Sequence, residues 1–325
     1  MIPLEWIQQA NSRIAPHILR TPLTRDNDLD LLIKWENLQV TGSFKARGAL
    51  NKVLGLHEWE CARGLVAASA GNHGQGVALA GNIVGAPVTI FASEHAVPKK
   101  IKAMEALGAR VHLVSGGYGE AESSGILFAQ QNQATWISPY NDGQVIAGQG
   151  TLALEVLSDV PASQVYNWVV PVGGGGLISG IGAALSVMAP SHRLIGVQSE
   201  ASAFMHGLFV RGSQDDVQDL PTLADGLSGP VESGAVTIPL VRRYVDQIIL
   251  VSEAEICDAI AQTWMRYQQR IEGSAAVCMA AIFSGKIRVH PAVVVITGGN
   301  IDEGLHQQLC QAGGKVDYRE HASHP

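Results

Sequence analysis

The sequence predicts an α/β protein of two three-layer domains, each a mostly parallel, twisted sheet with helices on both faces. Two observations carry that prediction. Short apolar runs of strand length alternate with longer segments of helical period, the signature of βαβ units. The 36 glycines among 325 residues fall in clusters beside those runs, where tight turns and ligand loops need them.

Taken in order, Gly64 to Ala68 reads as a buried strand, followed by a glycine-rich turn and the small-residue helix Gly76 to Gly85. Val88 to Ala92 is the next strand. Pro98 to Leu107 is a helix, since proline suits the first turn and Ile101, Met104 and Leu107 recur at helical spacing. Arg110 to Val114 is a third strand, and together these make one doubly wound unit from about Cys61 to Tyr140. A second series opens with a helix around Leu152 to Leu157. It continues through strands at Trp168 to Val172, Leu194 to Val197, Ile248 to Val251 and Val293 to Thr297. The first fifty residues form no closed unit. The expected division is therefore a large domain of residues 1–50 and 143–325, with a small domain of 51–142 inserted in it. A cleft between them is a natural ligand site. The tail after Gly313 and Gly314 reads as polar and loosely held.

Bulk properties narrow the function. Hydrophobic residues at 46% and charged residues at 16% fit a compact globular chain, not a disordered one. A net charge of -7 gives no reason to expect nucleic acid or an anionic membrane as partner. The four cysteines are widely spaced without a CxxC pair, so neither a disulfide framework nor a zinc site is signalled. The N-terminus lacks a signal peptide's basic start and apolar stretch, and no run reaches the roughly 18 apolar residues of a membrane span. A reducing cytoplasm is the expected location.

Four segments carry residues that chemistry needs. In Thr41-Gly42-Ser43-Phe44-Lys45-Ala46-Arg47-Gly48, a lysine follows Phe44 and precedes the helical apolar pattern of Ala49, Leu50 and Val53. A lysine in a polar stretch is ordinarily a solvated surface residue. At a helix start its amine can instead point into a cleft, where desolvation lowers its pKa and suits it to a Schiff base with a carbonyl cofactor. The segment Ser69-Ala70-Gly71-Asn72-His73-Gly74-Gln75-Gly76 lies between a strand and a helix and reads as a loop longer than usual. The helix start after it offers free N–H groups to an anion such as a substrate carboxylate. Gly173-Gly174-Gly175-Gly176 follows a buried strand directly, and a loop whose amides wrap a phosphate explains such a costly run. It is not a dinucleotide fingerprint, because Ser179 stands where a third glycine is needed. Thr297-Gly298-Gly299-Asn300 closes the last strand with a hydroxyl that can face a cleft, or with an ordinary turn.

In this order the four segments resemble the fold type II pyridoxal-phosphate enzymes, the family of threonine and serine dehydratases and serine racemases. The resemblance runs from about residue 15 to 305 and includes Gly143 to Thr151 and Leu223 to Gly226. It implies a tryptophan synthase β-like architecture with pyridoxal 5'-phosphate in the interdomain cleft and a homodimeric assembly. Lys45 would hold the cofactor, Phe44 would pack against its ring, and Asn72 would hydrogen-bond the ring hydroxyl. Gly173, Gly174, Gly175 and Gly176 would bind the phosphate, and Thr297 would contact the pyridine nitrogen. Ser69, Ala70, Gly71, Asn72 and His73 would surround the substrate carboxylate, with Glu272 facing the site. The implied reaction is β-elimination of water from a small β-hydroxy amino acid, giving a 2-oxo acid and ammonia.

Two departures refine the expectation. Racemases of the family place a second serine where this chain has Ala70, which has no proton to exchange. Dehydratase is therefore favoured over racemase. Relatives with a divalent cation use acids where Gln198 and Phe204 stand here, a poor set for a hard cation, so no metal is expected. A lyase for phenylserine or 3-hydroxyaspartate, a non-catalytic binding protein and a dinucleotide-dependent oxidoreductase are the competing readings. The chain also ends soon after the last strand, where long biosynthetic relatives carry a regulatory domain.

Overall fold

The structure, a computed structural model, describes residues 1–313; the expectation about the tail after Gly313 and Gly314 lies outside them. Among the described residues, ten strands form two sheets. The larger takes β1 (Leu23–Asp26), β2 (Leu31–Trp35), β7 (Asn167–Pro171), β8 (Arg193–Ser199), β9 (Gln247–Val251) and β10 (Ala292–Ile296) in the order β1-β2-β10-β7-β8-β9. All its pairings are parallel except that of β1 with β2. The smaller takes β3 (Leu65–Ala68), β4 (Val88–Ser93), β5 (Arg110–Val114) and β6 (Thr135–Trp136) in the order β5-β4-β3-β6, all parallel.

Each sheet is the middle of three layers, as its strand alternation requires. In β10, Val293 and Val295 face one core while Ala292, Val294 and Ile296 face the other, and all five are fully buried. In β3, Leu65 and Ala67 join one cluster, Val66 and Ala68 another. Strands buried on both faces read as unbroken apolar runs, which is why these were legible. By contrast, β1, β2 and β6 were not foreseen. Two of the four residues of β1 are exposed, β6 has only two residues, and β2 carries Lys34. That lysine is fully buried, its amine 2.6 Å from Glu155. A buried charge interrupts the hydrophobic signal although the strand is central.

Helix boundaries hold two corrections. The helix expected around Leu152 to Leu157 spans Gly143–Asp159, its first turn capped by Asp142, whose Oδ1 accepts from the amides of Gln144 and Val145. The helix expected from Gly76 starts at Asn72, so the presumed long loop is only Ser69 to Gly71. The Lys45–Leu54 helix lies tightly on Gly143–Asp159. A Cβ on Gly148 would come within 2.6 Å of the Arg47 carbonyl oxygen and 2.7 Å of Gly48 Cα. Ala46, Ala49, Leu50 and Val53 of the Lys45 helix enter the core that also holds Leu65 and Val77. That contact clamps Lys45 where the two sheets' units meet.

Candidate active site

Three of the four segments lie at the carboxyl ends of parallel strands, where open α/β sheets place their ligands, and the fourth is tied to one of them. Ser69 to Gly71 follows β3, Gly173 to Gly175 follows β7, and Thr297 to Asn300 follows the neighbouring β10. Lys45 opens its helix. The turn before it is held open by two left-handed residues, Thr41 (φ 63) and Gly42 (φ 70). A threonine there is strained, and Asn300 Nδ2 donates to the Thr41 carbonyl at 2.8 Å, holding it in place. The next residues are strapped to the end of β10. Ser43 pairs with Gly298, and the Phe44 amide donates to the Thr297 carbonyl at 3.0 Å.

Lys45 Nζ donates to the Pro139 carbonyl at 3.2 Å and stands 5.4 Å from the centre of the Phe44 ring. Loss of solvent pulls its pKa down to about 8, against the opposing pull of the Glu272 charge. The residue still touches open space, so the amine is desolvated by the walls of the cleft without being sealed away.

Across the cleft, three side chains form a chain of hydrogen bonds. Asn300 Nδ2 donates to Asn72 Oδ1 at 2.7 Å, and Asn72 Nδ2 donates to Glu272 Oε1 at 2.7 Å. Burial, then the charge of Asp225, pushes Glu272 up to about 7, while Lys100 and Asn72 pull the other way. Glu272 thus joins Asn72 as a buried acid whose pKa is pushed up to about 7. His73 stands apart from the other residues expected around a substrate. It is buried, burial and the Lys45 charge pull it down to about 3, and its Nε2 donates to the Ile137 carbonyl at 2.8 Å. Ala70 is exposed at the tip of the turn, with Ser69 buried behind it.

The glycine turn is a cradle that any side chain would fill. A Cβ on Gly174 would come within 2.4 Å of the Tyr140 ring, and Gly175 has φ 87. The Gly176–Met188 helix that follows has no side-chain cap, leaving its first N–H groups for an anion. Thr237 packs against Gly175, and its buried hydroxyl lacks a protein partner, as does that of Ser179 in the helix's first turns. Uncapped amides, two unpartnered hydroxyls and a desolvated amine across the cleft fit a phosphorylated carbonyl cofactor. Tyr140, Thr237 and Asn300 had no role in the sequence reading. Only Asn300 lay in a quoted motif; the others carry no periodicity or spacing that marks them.

Among the described residues no group of three or more His, Cys, Asp or Glu could hold a metal ion. At the position considered for a cation, Gln198 Oε1 accepts from the His206 amide at 3.0 Å and Phe204 is buried.

Fold and site together fit an enzyme that works through a phosphate-bearing carbonyl cofactor. The chain belongs to the pyridoxal-phosphate dependent enzyme family, whose pattern matches residues 14–298, and its cofactor is pyridoxal phosphate. It is similar to an L-threonine ammonia-lyase from Thermotoga maritima, 42% identical over 96% of this chain and 79% of the relative. Among solved structures it resembles the processed form of threonine deaminase isoform 2 from Solanum lycopersicum, with a TM-score of 0.85 and 28% identity over 95% of this chain and 92% of that one. It also resembles serine racemase from Dictyostelium discoideum, with a TM-score of 0.83 and 34% identity over 93% and 99%. These likenesses agree with the fold type II architecture expected from the motifs.

Proposed function

We propose that this enzyme removes water from a small β-hydroxy amino acid, L-threonine or L-serine, and releases a 2-oxo acid and ammonia. The observation that carries the reading is the desolvated Lys45 amine, set in a cleft opposite an uncapped glycine turn. The names of the ammonia-lyase and deaminase relatives support the same substrate class.

When bound, pyridoxal phosphate withdraws electrons from the α-carbon of the amino acid joined to it. The chain's own groups supply the rest. Gly173 to Gly176, backed by Thr237, would hold the phosphate, Lys45 would hold the carbonyl end, and Phe44 would pack on the ring. Asn72, oriented by Asn300, would meet the ring hydroxyl. Thr297 would offer the ring nitrogen a neutral hydroxyl, which leaves that nitrogen uncharged and the ring a weaker electron sink. This favours elimination over reactions that need a long-lived carbanion. Ser69 and the amides of Ala70, Gly71 and Asn72 would take the substrate carboxylate. An amine with a pKa near 8 is free in useful amount at neutral pH, so Lys45 is the base for the α-proton. Loss of that proton with the β-hydroxyl amounts to one water, and uptake of one water on release of ammonia balances the 2-oxo acid.

The test is release of 2-oxo acid and ammonia by the purified protein with added pyridoxal phosphate. The panel is L- and D-serine, L-threonine, phenylserine and 3-hydroxyaspartate. Turnover is expected with L-threonine or L-serine. Preference for phenylserine or hydroxyaspartate would move the substrate, and no turnover of any would overturn the reaction. The racemase likeness gives a second check. Ala70→Ser puts a transferable proton on the exposed tip of the turn and is expected to raise racemisation of serine, followed by chiral chromatography. An unchanged rate would mean that position alone does not separate the two reactions.

We further propose a cytoplasmic location and, from the family resemblance alone, a homodimer. The four cysteines are free, and no helix among the described residues is long and apolar enough to cross a membrane.

A further inference from the structure

An ion pair brackets the Ser69 to Gly71 turn, and the reaction above does not use it. Lys100 sits in the Pro98–Ala106 helix, which is seated on the smaller sheet's unit through Met104. Asp225 begins the short turn Asp225–Leu227, which borders the phosphate cradle. A Cβ on Gly173 would meet Leu227 Cα at 3.0 Å and the Gly226 carbonyl oxygen at 3.4 Å. Lys100 Nζ lies 2.8 Å from Asp225 Oδ2. The lysine stem crosses directly over Gly71, where a Cβ would stand 3.5 Å from its Cδ and 3.7 Å from Nζ. The turn carrying Asp225 is in turn tied to the helix behind Glu272, because the Gly226 amide donates to Ser274 Oγ at 2.9 Å.

One charge of this pair therefore rides with each sheet's unit, and the bond between them spans the cleft above the turn that would take the carboxylate. We propose that Lys100 and Asp225 are a closure pair: they fasten the Ser69 to Gly71 turn across the cleft and so set how firmly the enzyme holds an amino acid, without touching the reacting atoms. The proposal rests on the reading of that turn as the carboxylate site. Side-chain exposures of 22% for Lys100 and 34% for Asp225 place the pair at the rim. There it is dry enough to matter and wet enough to open for exchange of substrate and product. The Asp225 charge also raises the Lys100 pKa, so the lysine is an ammonium throughout the neutral range. A closed population held by such a contact couples to binding, and a ligand that needs the closed form feels its loss as weaker affinity.

The experiment compares holoenzyme with Lys100→Met, Asp225→Asn, the double variant and Lys100→Arg. Each single loss is expected to raise KM for the amino acid about fivefold to tenfold, the low end of typical coupling between sites, with kcat little changed. The double variant is expected to be no worse than either single, because either change alone removes the pair. Lys100→Arg, which keeps the charge, is expected to restore most of the affinity. Amide hydrogen exchange over residues 69–76 gives a readout that needs no turnover. It is expected to quicken equally in both singles and the double, with Tm nearly unchanged. Additive KM effects, or unchanged exchange with a lowered Tm, would overturn the closure role. So would an Asp225→Asn enzyme that binds substrate more tightly while Lys100→Met binds it less tightly, since Lys100 would then be a direct carboxylate ligand. A wild-type enzyme that releases no 2-oxo acid from any amino acid sinks the reaction assignment instead. In that case the exchange rates alone decide the pair.

Discussion

Lys45→Ala is expected to abolish elimination, by at least about 10³-fold, and with it the visible absorbance of the lysine–cofactor Schiff base. The size follows from two roles in one side chain, attachment of the cofactor and transfer of the α-proton. The structure also predicts what the variant keeps. Lys45 makes one hydrogen bond, to the Pro139 carbonyl, and its pKa is pulled from 10.5 to about 8. A lysine lowered in this way contributes its full stability only above its unfolded pKa, and loses it as pH falls through about 8. At pH 7 the native protein already carries that loss, and alanine removes it. With the cofactor removed from both proteins, the variant is therefore expected to melt no lower than wild type at pH 7 and to lose any advantage as pH rises from about 8 towards 10.5. A dead but stable variant would place the defect in chemistry. Retained turnover would remove Lys45 from its role, and a variant that fails to fold would contradict the desolvation argument.

Arg47, two residues on, should fail in the opposite way. Its guanidinium is fully buried between two buried carboxylates, with Nε 2.7 Å from Glu36 Oε2 and Nη1 2.7 Å from Glu155 Oε1. Lys34 holds the other side of Glu155, and the Thr21 hydroxyl donates to Glu36. Burial alone would raise the Glu36 pKa, but the charge and hydrogen bonds of Arg47 overrule it and keep that carboxyl low. Arg47→Met leaves Glu36 and Glu155 facing each other in the interior with Lys34 as their only cation. Breaking a buried pair from one side costs about 3–5 kcal/mol, because the charge left behind is neither solvated nor paired. Denaturant unfolding is expected to show that loss, together with a lower yield of folded enzyme. Whatever fraction folds should retain a near-normal kcat, since the Arg47 side chain bonds, among the described residues, only to Glu36, Thr151 and Glu155, none of them a residue of the site. A variant as stable as wild type would mean that the network is compensated by water or by protonation of one acid.

The contrast between these two neighbours is instructive about what the chain discloses. Both lie in one eight-residue motif, and both are cations in a polar stretch. Lys45 was singled out because Phe44 and the following apolar pattern suggested a helix start at a cleft. Arg47 was passed over, because its partners Glu36 and Glu155 are 11 and 108 residues away. The same distance in sequence hid Asn300 from Asn72, Tyr140 from Gly174, and Lys100 from Asp225. It also hid the strand β2, whose buried Lys34 looks like a solvated residue until Glu155 is beside it. Where the reading erred locally, at the Ser69 to Gly76 loop, it counted small polar residues as turn. In the fold, helix geometry takes over at Asn72, and its glycines let it pack closely: a Cβ on Gly76 would stand 3.1 Å from the Lys45 carbonyl oxygen.

By itself the sequence determined the layered α/β class, the main parallel strands, the lysine and the order of the glycine turns along the chain. These are local properties: apolar runs of strand length, glycine where no side chain fits, and a motif that places one amine at a helix start. Only the tertiary structure decided which charges are paired and which are poised. A pKa is set by what surrounds a group within a few ångströms, and those surroundings come from distant segments, as between Asn72 and Glu272, 200 residues apart. Hence the downward pull on Lys45 and His73 and the upward push on Glu272 follow from the fold, although each residue could be named from the chain.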